Sequence, residues 1–172
     1  MTTAPPDIND LDADLYFCLK AARDRVVKFV SDGSLTSGKL SALLTFAENL
    51  QSEIGSESYN IPEIKQTDKP LYFDDNIFGK LDYLTEKGER VFKAFNFDEE
   101  FVLTDEHKNI LLYYIYRYLL KAAYDGNARF ALNLAVFATA TIARLNMPTA
   151  EASVLFSKEV EHSAENLSAF VG

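Results

Sequence analysis

Cysteine, histidine and clustered glycine are scarce in this sequence, and each scarcity excludes a class of site. The chain of 172 residues has one cysteine, Cys18, which excludes a disulfide framework, a Cys-rich zinc site and a self-contained iron–sulfur cluster, because each needs several thiolates. The two histidines, His107 and His162, lie far apart and outside any metal-binding spacing. The seven glycines are scattered and form no phosphate-binding loop. Cys18 falls on an apolar helix stripe, so we expect a buried, inert thiol. A chain with a single cysteine and no disulfide framework also favours a reducing, cytoplasmic compartment.

Basic charge and long apolar runs are also in short supply. The chain has 17 Lys and Arg against 26 Asp and Glu, a net charge of −9, and so acidic a protein repels a phosphate backbone. The most apolar stretch, Phe130 to Leu145, has 16 residues, fewer than the roughly 20 that a membrane span needs. Residues 1–10 have neither the basic region nor the apolar core of a secretory signal. We therefore expect no nucleic-acid partner and no membrane partner.

Apolar residues recur every three or four positions along most of the chain, and no stretch alternates with the period of a strand. This pattern predicts an all-α fold, a single compact domain of five to seven helices around a central apolar helix. We expect this domain to cover residues 12–172, after a flexible N-terminal tail over residues 1–11, with a long loop over 56–70 and a connector over 96–103. The predicted helices run from about Asp12 to Ser31, from Thr36 or Ser37 to Gly55, from Asp74 or Asp75 to Phe95, from a Thr104 cap to about Gly126, from Ala128 to Leu145, and onward from a Thr149 cap.

The sequence makes more specific predictions for the third and fourth helices. In the third helix Gly79 and Gly88 each weaken the helix by about 1 kcal/mol relative to alanine, and a break is expected near Gly88. The fourth helix is expected to bury one apolar stripe against the rest of the domain. That stripe consists of Leu112, Ile115, Leu119 and Ala122.

The fourth helix also carries the surface that composition singles out. Residues 111–147 contain four basic residues and one acidic residue, a local charge of +3, and they hold five of the nine tyrosines. Tyrosine and arginine dominate binding hot spots, since both combine a large contact area with a polar tip. We therefore predict a ligand-binding or partner-binding face on the side of this helix away from the core stripe, formed by Tyr113, Arg117, Lys121 and Tyr124.

Two other interpretations use the same face. In one, the face packs on another helix of the domain and Arg117 pairs with one of the many carboxylates. In the other, it is the interface of a homodimer. The predicted partner is accordingly a protein, either a different chain or a second copy of this one.

One further cluster places carboxylates beside an imidazole, namely Glu159, Glu161 and His162. Consecutive residues of an α-helix point about 100° apart, so adjacency in the sequence does not bring their side chains together. We expect a solvated polar face here. The sequence identifies no catalytic residue and no metal ligand.

Three stretches in order along the chain carry a family resemblance: Leu40 to Gln51 (LSALLTFAENLQ), Asn109 to Leu120 (NILLYYIYRYLL) and Phe156 to Leu167 (FSKEVEHSAENL). Together they resemble the C-terminal helical half of the bacterial flagellin lysine-N-methylase family, over about residues 12–170. The distinctive chemistry of that family is associated with a Cys-rich N-terminal region, and this sequence has no counterpart of it.

The resemblance implies a bacterial helical accessory or binding domain. Because one thiol cannot hold an iron–sulfur cluster and the sequence has no methyl-donor motif, we expect this domain to need no cofactor and not to be catalytic alone. The resemblance implies an isolated accessory domain, a portion of a longer protein, or a relative that has lost the reaction. The alternative that it carries is a protein lysine N-methyltransferase using S-adenosylmethionine. The homodimeric helical interaction module stays open beside both.

Overall fold

The computed structural model describes residues 11–72, 76–94 and 101–171, and within these ranges the chain is all-α and has no strand. A 3₁₀ turn at Leu119–Lys121 joins the helix Asp105–Tyr118 to the helix Ala122–Asp125, and counting these two as one continuous helix gives seven helices in the described residues. The predicted all-α fold of five to seven helices is confirmed. The helices are α1 (Ala13–Ser31), α2 (Ser37–Gly55), α3 (Glu86–Lys93), α4 (Asp105–Tyr118), α5 (Ala122–Asp125), α6 (Ala128–Arg144), α7 (Thr149–Phe156) and α8 (Ala164–Val171).

Local capping explains why the first two helices begin where the sequence predicted. The Asp12 carboxylate accepts a hydrogen bond from the backbone N–H of Leu15 at 3.0 Å, and the Thr36 hydroxyl accepts one from the N–H of Lys39 at 3.2 Å. Each bond satisfies a donor that has no partner within the first turn of its helix.

Helix α6 is the centre of the domain, as its apolar sequence predicted. Helices α2 and α4 both pack along it, and α7 and α8 contact it as well. Ala131, Ala135 and Ala138 of α6 are all buried, and their small side chains let the neighbouring helices approach closely. No helix among the described residues is both long enough and apolar enough to cross a membrane.

Helix α4 begins at its predicted Thr104 cap, where the Thr104 N–H donates to Nδ1 of His107 at 3.0 Å. Burial lowers the pKa of His107, which favours the neutral ring that can accept this bond. The predicted core stripe is wrong at one position, since Leu112 is only partly buried and Leu111 is fully buried instead. Leu111 lies four residues before Ile115 and therefore continues the same buried face of α4.

The loop after α2 lies against α1. The Arg25 guanidinium donates to the carbonyls of Ile61 at 2.9 Å and Pro62 at 3.0 Å, and the Tyr59 hydroxyl donates to Asp12 at 3.0 Å. Cys18 is buried beneath this loop and its thiol donates to the Tyr59 carbonyl at 3.4 Å. Burial raises the pKa of this thiol, which keeps it protonated and agrees with the predicted inert cysteine.

The predicted third helix is wrong in its middle. Instead of one helix with a break near Gly88, the chain makes a 3₁₀ turn at Ile77–Gly79, an irregular stretch over 80–85, and then α3. Tertiary hydrogen bonds replace helical ones in that stretch, because the N–H of Asp82 donates to Asn166 at 2.8 Å and that of Leu84 donates to Glu159 at 2.7 Å. The predicted start at Asp74 or Asp75, the end at Phe95, most of the 96–103 connector and the 1–10 tail lie outside the described residues.

The predicted sixth helix is interrupted, and its cap lies one residue earlier than predicted. Pro148 occupies the cap position, so Thr149 is the first residue of α7. After Phe156 the backbone forms a π-helical turn over Ser157–Glu161 before α8 begins at Ala164. The turn buries Glu159 completely and Glu161 almost completely. The predicted solvated face at Glu159 and Glu161 is therefore wrong.

Glu159 ties the π-helical turn to α3. Its carboxylate accepts hydrogen bonds from the Leu84 N–H and the Thr85 hydroxyl, and Thr85 in turn caps α3 by accepting from the Gly88 N–H at 3.0 Å. The carboxyl group lies so close to Gly88 that a β-carbon there would stand 2.6 Å from Cγ of Glu159. Gly88 is therefore required by packing.

Substituting Gly88→Ala tests this packing. Alanine normally stabilises a helix interior relative to glycine, but here we expect a loss of about 1–3 kcal/mol in the free energy of unfolding, because the new methyl group overpacks the buried carboxylate. Urea denaturation measures it. Gly79→Ala is the matched control, since nothing lies within 4 Å of its added β-carbon. Equal stabilisation by both substitutions would show that Glu159 does not pack on α3.

Candidate binding groove between α4 and α7

A surface groove of about 590 Å³ lies between α4 and the α7 segment that continues into the π-helical turn. We call it the α4–α7 groove. A second recess, lined by Glu106, Asn109, Ile110 and Ser153 among others, shares the last three residues with it and extends it towards the start of α4. The main groove is lined by Ile110, Tyr113 and Tyr114 from α4, and by Val154, Lys158 and His162 from the opposite side.

The walls of this groove expose apolar surface. Val154 is 67% exposed and Tyr113 is 48% exposed, although both are large enough to gain from burial. Ile110 between them is partly buried. Polar groups line both ends of the groove, with Asn109 near the start of α4 and with exposed Lys158 and His162 near the π-helical turn, where the His162 ring lies 3.3 Å from the Ser157 hydroxyl.

A buried polar network holds the two walls together. The Glu161 side chain is 3% exposed, and its carboxylate accepts hydrogen bonds from the hydroxyls of Tyr118 at 2.7 Å and Tyr114 at 3.2 Å. Arg117 completes the set, with its Nε 3.1 Å from Oε1 of Glu161. A buried carboxylate is tolerated only when it is paired and hydrogen-bonded, and Glu161 has a cation and two hydroxyl donors.

The two tyrosines of this network remain protonated to high pH. Burial, reinforced by the negative charge of Glu161 and its hydrogen bond, raises the pKa of Tyr114. Burial and the hydrogen bond to Glu161 raise the pKa of Tyr118 to about 12. Both hydroxyls therefore act as donors to the carboxylate at physiological pH.

Arg117 also orients the groove wall. Its NH1 donates to the Tyr113 hydroxyl at 3.1 Å, and its guanidinium lies 5.8 Å from the ring centre of Tyr113 and 5.5 Å from that of Tyr118. These contacts place Tyr113, which lines the groove, on a support that is anchored to buried Glu161. The Tyr113 ring is thereby restrained before any ligand arrives.

The structure brings together three of the four residues predicted for the binding face. Tyr113 and Arg117 are in contact, and the Lys121 ammonium lies 4.7 Å from the ring centre of Tyr118, which Arg117 also covers. Tyr124 is 38% exposed, and within the described ranges no hydrogen bond, ion pair or ring contact joins it to the other three. The 3₁₀ turn at Leu119–Lys121 has about three residues per turn, so it rotates Tyr124 out of the phase that a continuous α-helix predicts.

The predicted binding face of α4 has features of both the binding interpretation and the packing interpretation. Tyr113, Arg117, Lys121 and Tyr124 are all exposed to solvent to some extent, as a binding face requires. Arg117 is also paired with a carboxylate of the same domain, as the packing interpretation expects. The ion pair supports the exposed face from below, so the two features coexist.

Sequence reasoning missed the residues that organise this site: Glu161, Tyr114 and Tyr118. Tyr114 and Tyr118 are four residues apart and therefore share one helix face, a signal that was readable in the sequence. Nothing in the sequence indicated that Glu161 would face these tyrosines. The burial of Glu161 depends on the π-helical turn, in which successive side chains point in other directions than they would in an α-helix.

In residues 11–72, 76–94 and 101–171, no group of three or more His, Cys, Asp or Glu side chains is placed to hold a metal ion. No family model, curated protein or solved structure matches this chain. The resemblance to the flagellin lysine-N-methylase family therefore stays a prediction.

Replacing Arg117 with alanine tests the network. We expect the free energy of unfolding to fall by about 1–3 kcal/mol, less than the roughly 3–5 kcal/mol of a fully buried pair, because Arg117 is partly solvated. Arg129→Ala is the control, since its ion pair with Glu48 is half exposed on both sides and should contribute at most about 1 kcal/mol. Denaturant unfolding of both variants measures the difference, and equal losses would contradict the network.

Alkaline pH gives an independent test. The pKa of Tyr118 rises from 10.0 to about 12 on folding, so its contribution to stability is complete below pH 10 and is lost as pH rises through about 12. We expect the free energy of unfolding to fall more steeply above pH 10 in the wild type than in Tyr118→Phe. Urea titrations across this range measure both slopes. Identical slopes would show that Tyr118 titrates alike in the folded and unfolded chains.

Proposed function

We propose that this chain is a helical accessory or binding domain that takes a protein partner through the α4–α7 groove and the exposed face of α4, and that it is not catalytic by itself. The observation that carries the proposal is a groove with exposed Tyr113 and Val154 whose wall is held in place by the ion pair of half-exposed Arg117 with buried Glu161. A volume of about 590 Å³ lies within the range of known binding pockets.

Two physical features support recognition at this surface. Tyrosine and arginine provide large contact areas with polar tips, and both occur here side by side. The network also restrains Tyr113 in advance, which lowers the entropy lost on binding. The family resemblance adds the expectation of a bacterial protein related to flagellin lysine methylases, which makes monomeric flagellin the first partner to test. The single cysteine adds the expectation of a cytoplasmic compartment.

The sequence analysis left two other hypotheses open, a homodimeric module and a lysine N-methyltransferase. A homodimeric module would cover Tyr113 and Val154 with a second copy of the chain. Lysine methyl transfer from S-adenosylmethionine depends on the resemblance alone.

The test measures flagellin binding by calorimetry, with self-association followed by sedimentation. We expect Val154→Asp to weaken binding at least tenfold, because it places a charge in the apolar part of the groove. Val102→Asp is the matched control, since Val102 is 77% exposed and does not line the groove. Both variants should unfold like the wild type, as exposed substitutions do.

Three outcomes would contradict parts of this proposal. Equal binding by Val154→Asp and the wild type would remove the groove from the function. A wild-type dimer that Val154→Asp dissociates would favour the self-association hypothesis. Methyl transfer to flagellin by the purified chain with S-adenosylmethionine would show that the domain is catalytic after all.

A further inference from the structure

The walls of the α4–α7 groove are two helix faces that run in the same direction. At one end Glu106 lies beside Thr149 and Ala150, and further along Tyr113 and Tyr114 lie opposite Ser157. On each wall the lining residues recur every three or four positions, so the groove follows two parallel rows of side chains. A third helix packs into such a furrow by placing its own ridge between the two rows.

The length of the furrow matches a short helix. The lining residues run from Glu106 to Tyr114 on the α4 wall and from Thr149 to His162 on the opposite wall, which at a rise of about 1.5 Å per residue is roughly 12 Å and roughly 20 Å. A bound helix of about three turns, roughly 16 Å long, lies between these two lengths. Apolar side chains at positions i, i+3 or i+4, and i+7 of that helix would meet the apolar middle formed by Ile110, Tyr113 and Val154.

The two ends of the furrow differ in charge. Lys158 is exposed at the end near the π-helical turn, and no ion pair with a described residue neutralises it. Glu161 lies below it, but its charge is already paired with Arg117 and hydrogen-bonded to two tyrosines. At the opposite end Glu106, also exposed, lines the second recess. The furrow therefore presents one positive end and one negative end.

We propose that the occupant of the α4–α7 groove is an amphipathic α-helix of about three turns, with an apolar ridge against Ile110, Tyr113 and Val154, a carboxylate over Lys158 and a basic residue over Glu106. This inference rests on the proposed function and names the class of partner segment. The apolar ridge supplies affinity, and the two charged ends supply specificity and orientation.

The experiment uses synthetic helical peptides of about twelve residues, each carrying one tryptophan beside its apolar ridge. The protein has no tryptophan, so selective excitation of the peptide tryptophan reports binding without a tryptophan background from the chain. One peptide has an acidic end and a basic end, a second is acidic at both ends, and a third is basic at both ends. A scrambled peptide with the composition of the first lacks the ridge.

We expect the peptide with opposite ends to bind most tightly and the scrambled peptide to bind at least tenfold more weakly. Lys158→Glu should weaken the first peptide and strengthen the all-basic peptide, each by about two- to fivefold, as for exposed charge pairs. Val154→Asp should weaken all ridge-bearing peptides at least tenfold, and Val102→Asp should weaken none. Added salt should reduce the differences in affinity among the three charge patterns, because it screens exposed charges. It should leave the difference in affinity between the ridge-bearing and scrambled peptides unchanged.

Other outcomes overturn the inference. Equal binding of the ridge and scrambled peptides, or no reversal of charge preference in Lys158→Glu, would exclude an oriented helix. Binding of a medium-chain fatty acid without binding of any peptide would make the groove a site for small amphiphiles. If no peptide binds and flagellin binding still depends on Val154, the proposed function stands and only this inference fails. If Val154→Asp changes neither peptide binding nor flagellin binding, the proposed function and this inference both fail.

Discussion

The buried carboxylates of one π-helical turn are the constraint on which the rest of this structure depends. A carboxylate taken out of water must find cations or hydrogen-bond donors, and Glu159 and Glu161 find theirs on different elements. Glu159 binds the backbone before α3, and Glu161 binds three side chains of α4. A turn of five residues thus ties two distant parts of the chain to α7.

This arrangement also accounts for the groove. Polar pairing of α4 with the π-helical turn occurs at Arg117, Tyr114 and Tyr118, which are on the inner side and far end of α4. Nearer the start of the two helices no such network among the described residues draws the outer faces together, and Ile110 and Val154 lie on opposite walls. The same interaction that fixes the position of α4 therefore leaves a furrow with apolar walls. The groove is therefore anchored at its base by the polar network and open at its rim.

The predictions that succeeded were those decided within a few residues. The helix starts near Asp12 and Thr36, the Thr104 cap and the end of the α4–α5 segment at Gly126 follow from short-range hydrogen bonds and from the left-handed backbone of that glycine, whose φ is +73°. Of the predicted binding face, Tyr113 and Arg117 were found in contact because four-residue spacing on one helix suffices to bring them together. Tyr124 was assigned to that face on the assumption of a continuous helix, and the 3₁₀ turn breaks that assumption.

The sequence by itself determined the helix class, most helix ends and the central position of α6, because apolar periodicity and capping depend on near neighbours in the chain. Tertiary structure alone decided the burial of Glu159 and Glu161, the loss of helix over residues 80–85 and the requirement for glycine at position 88. Each involves partners more than 40 residues apart, such as Leu84 with Glu159 and Tyr118 with Glu161. No local pattern records such a partner, because the free energy of a buried charge depends on which donors the fold brings to it.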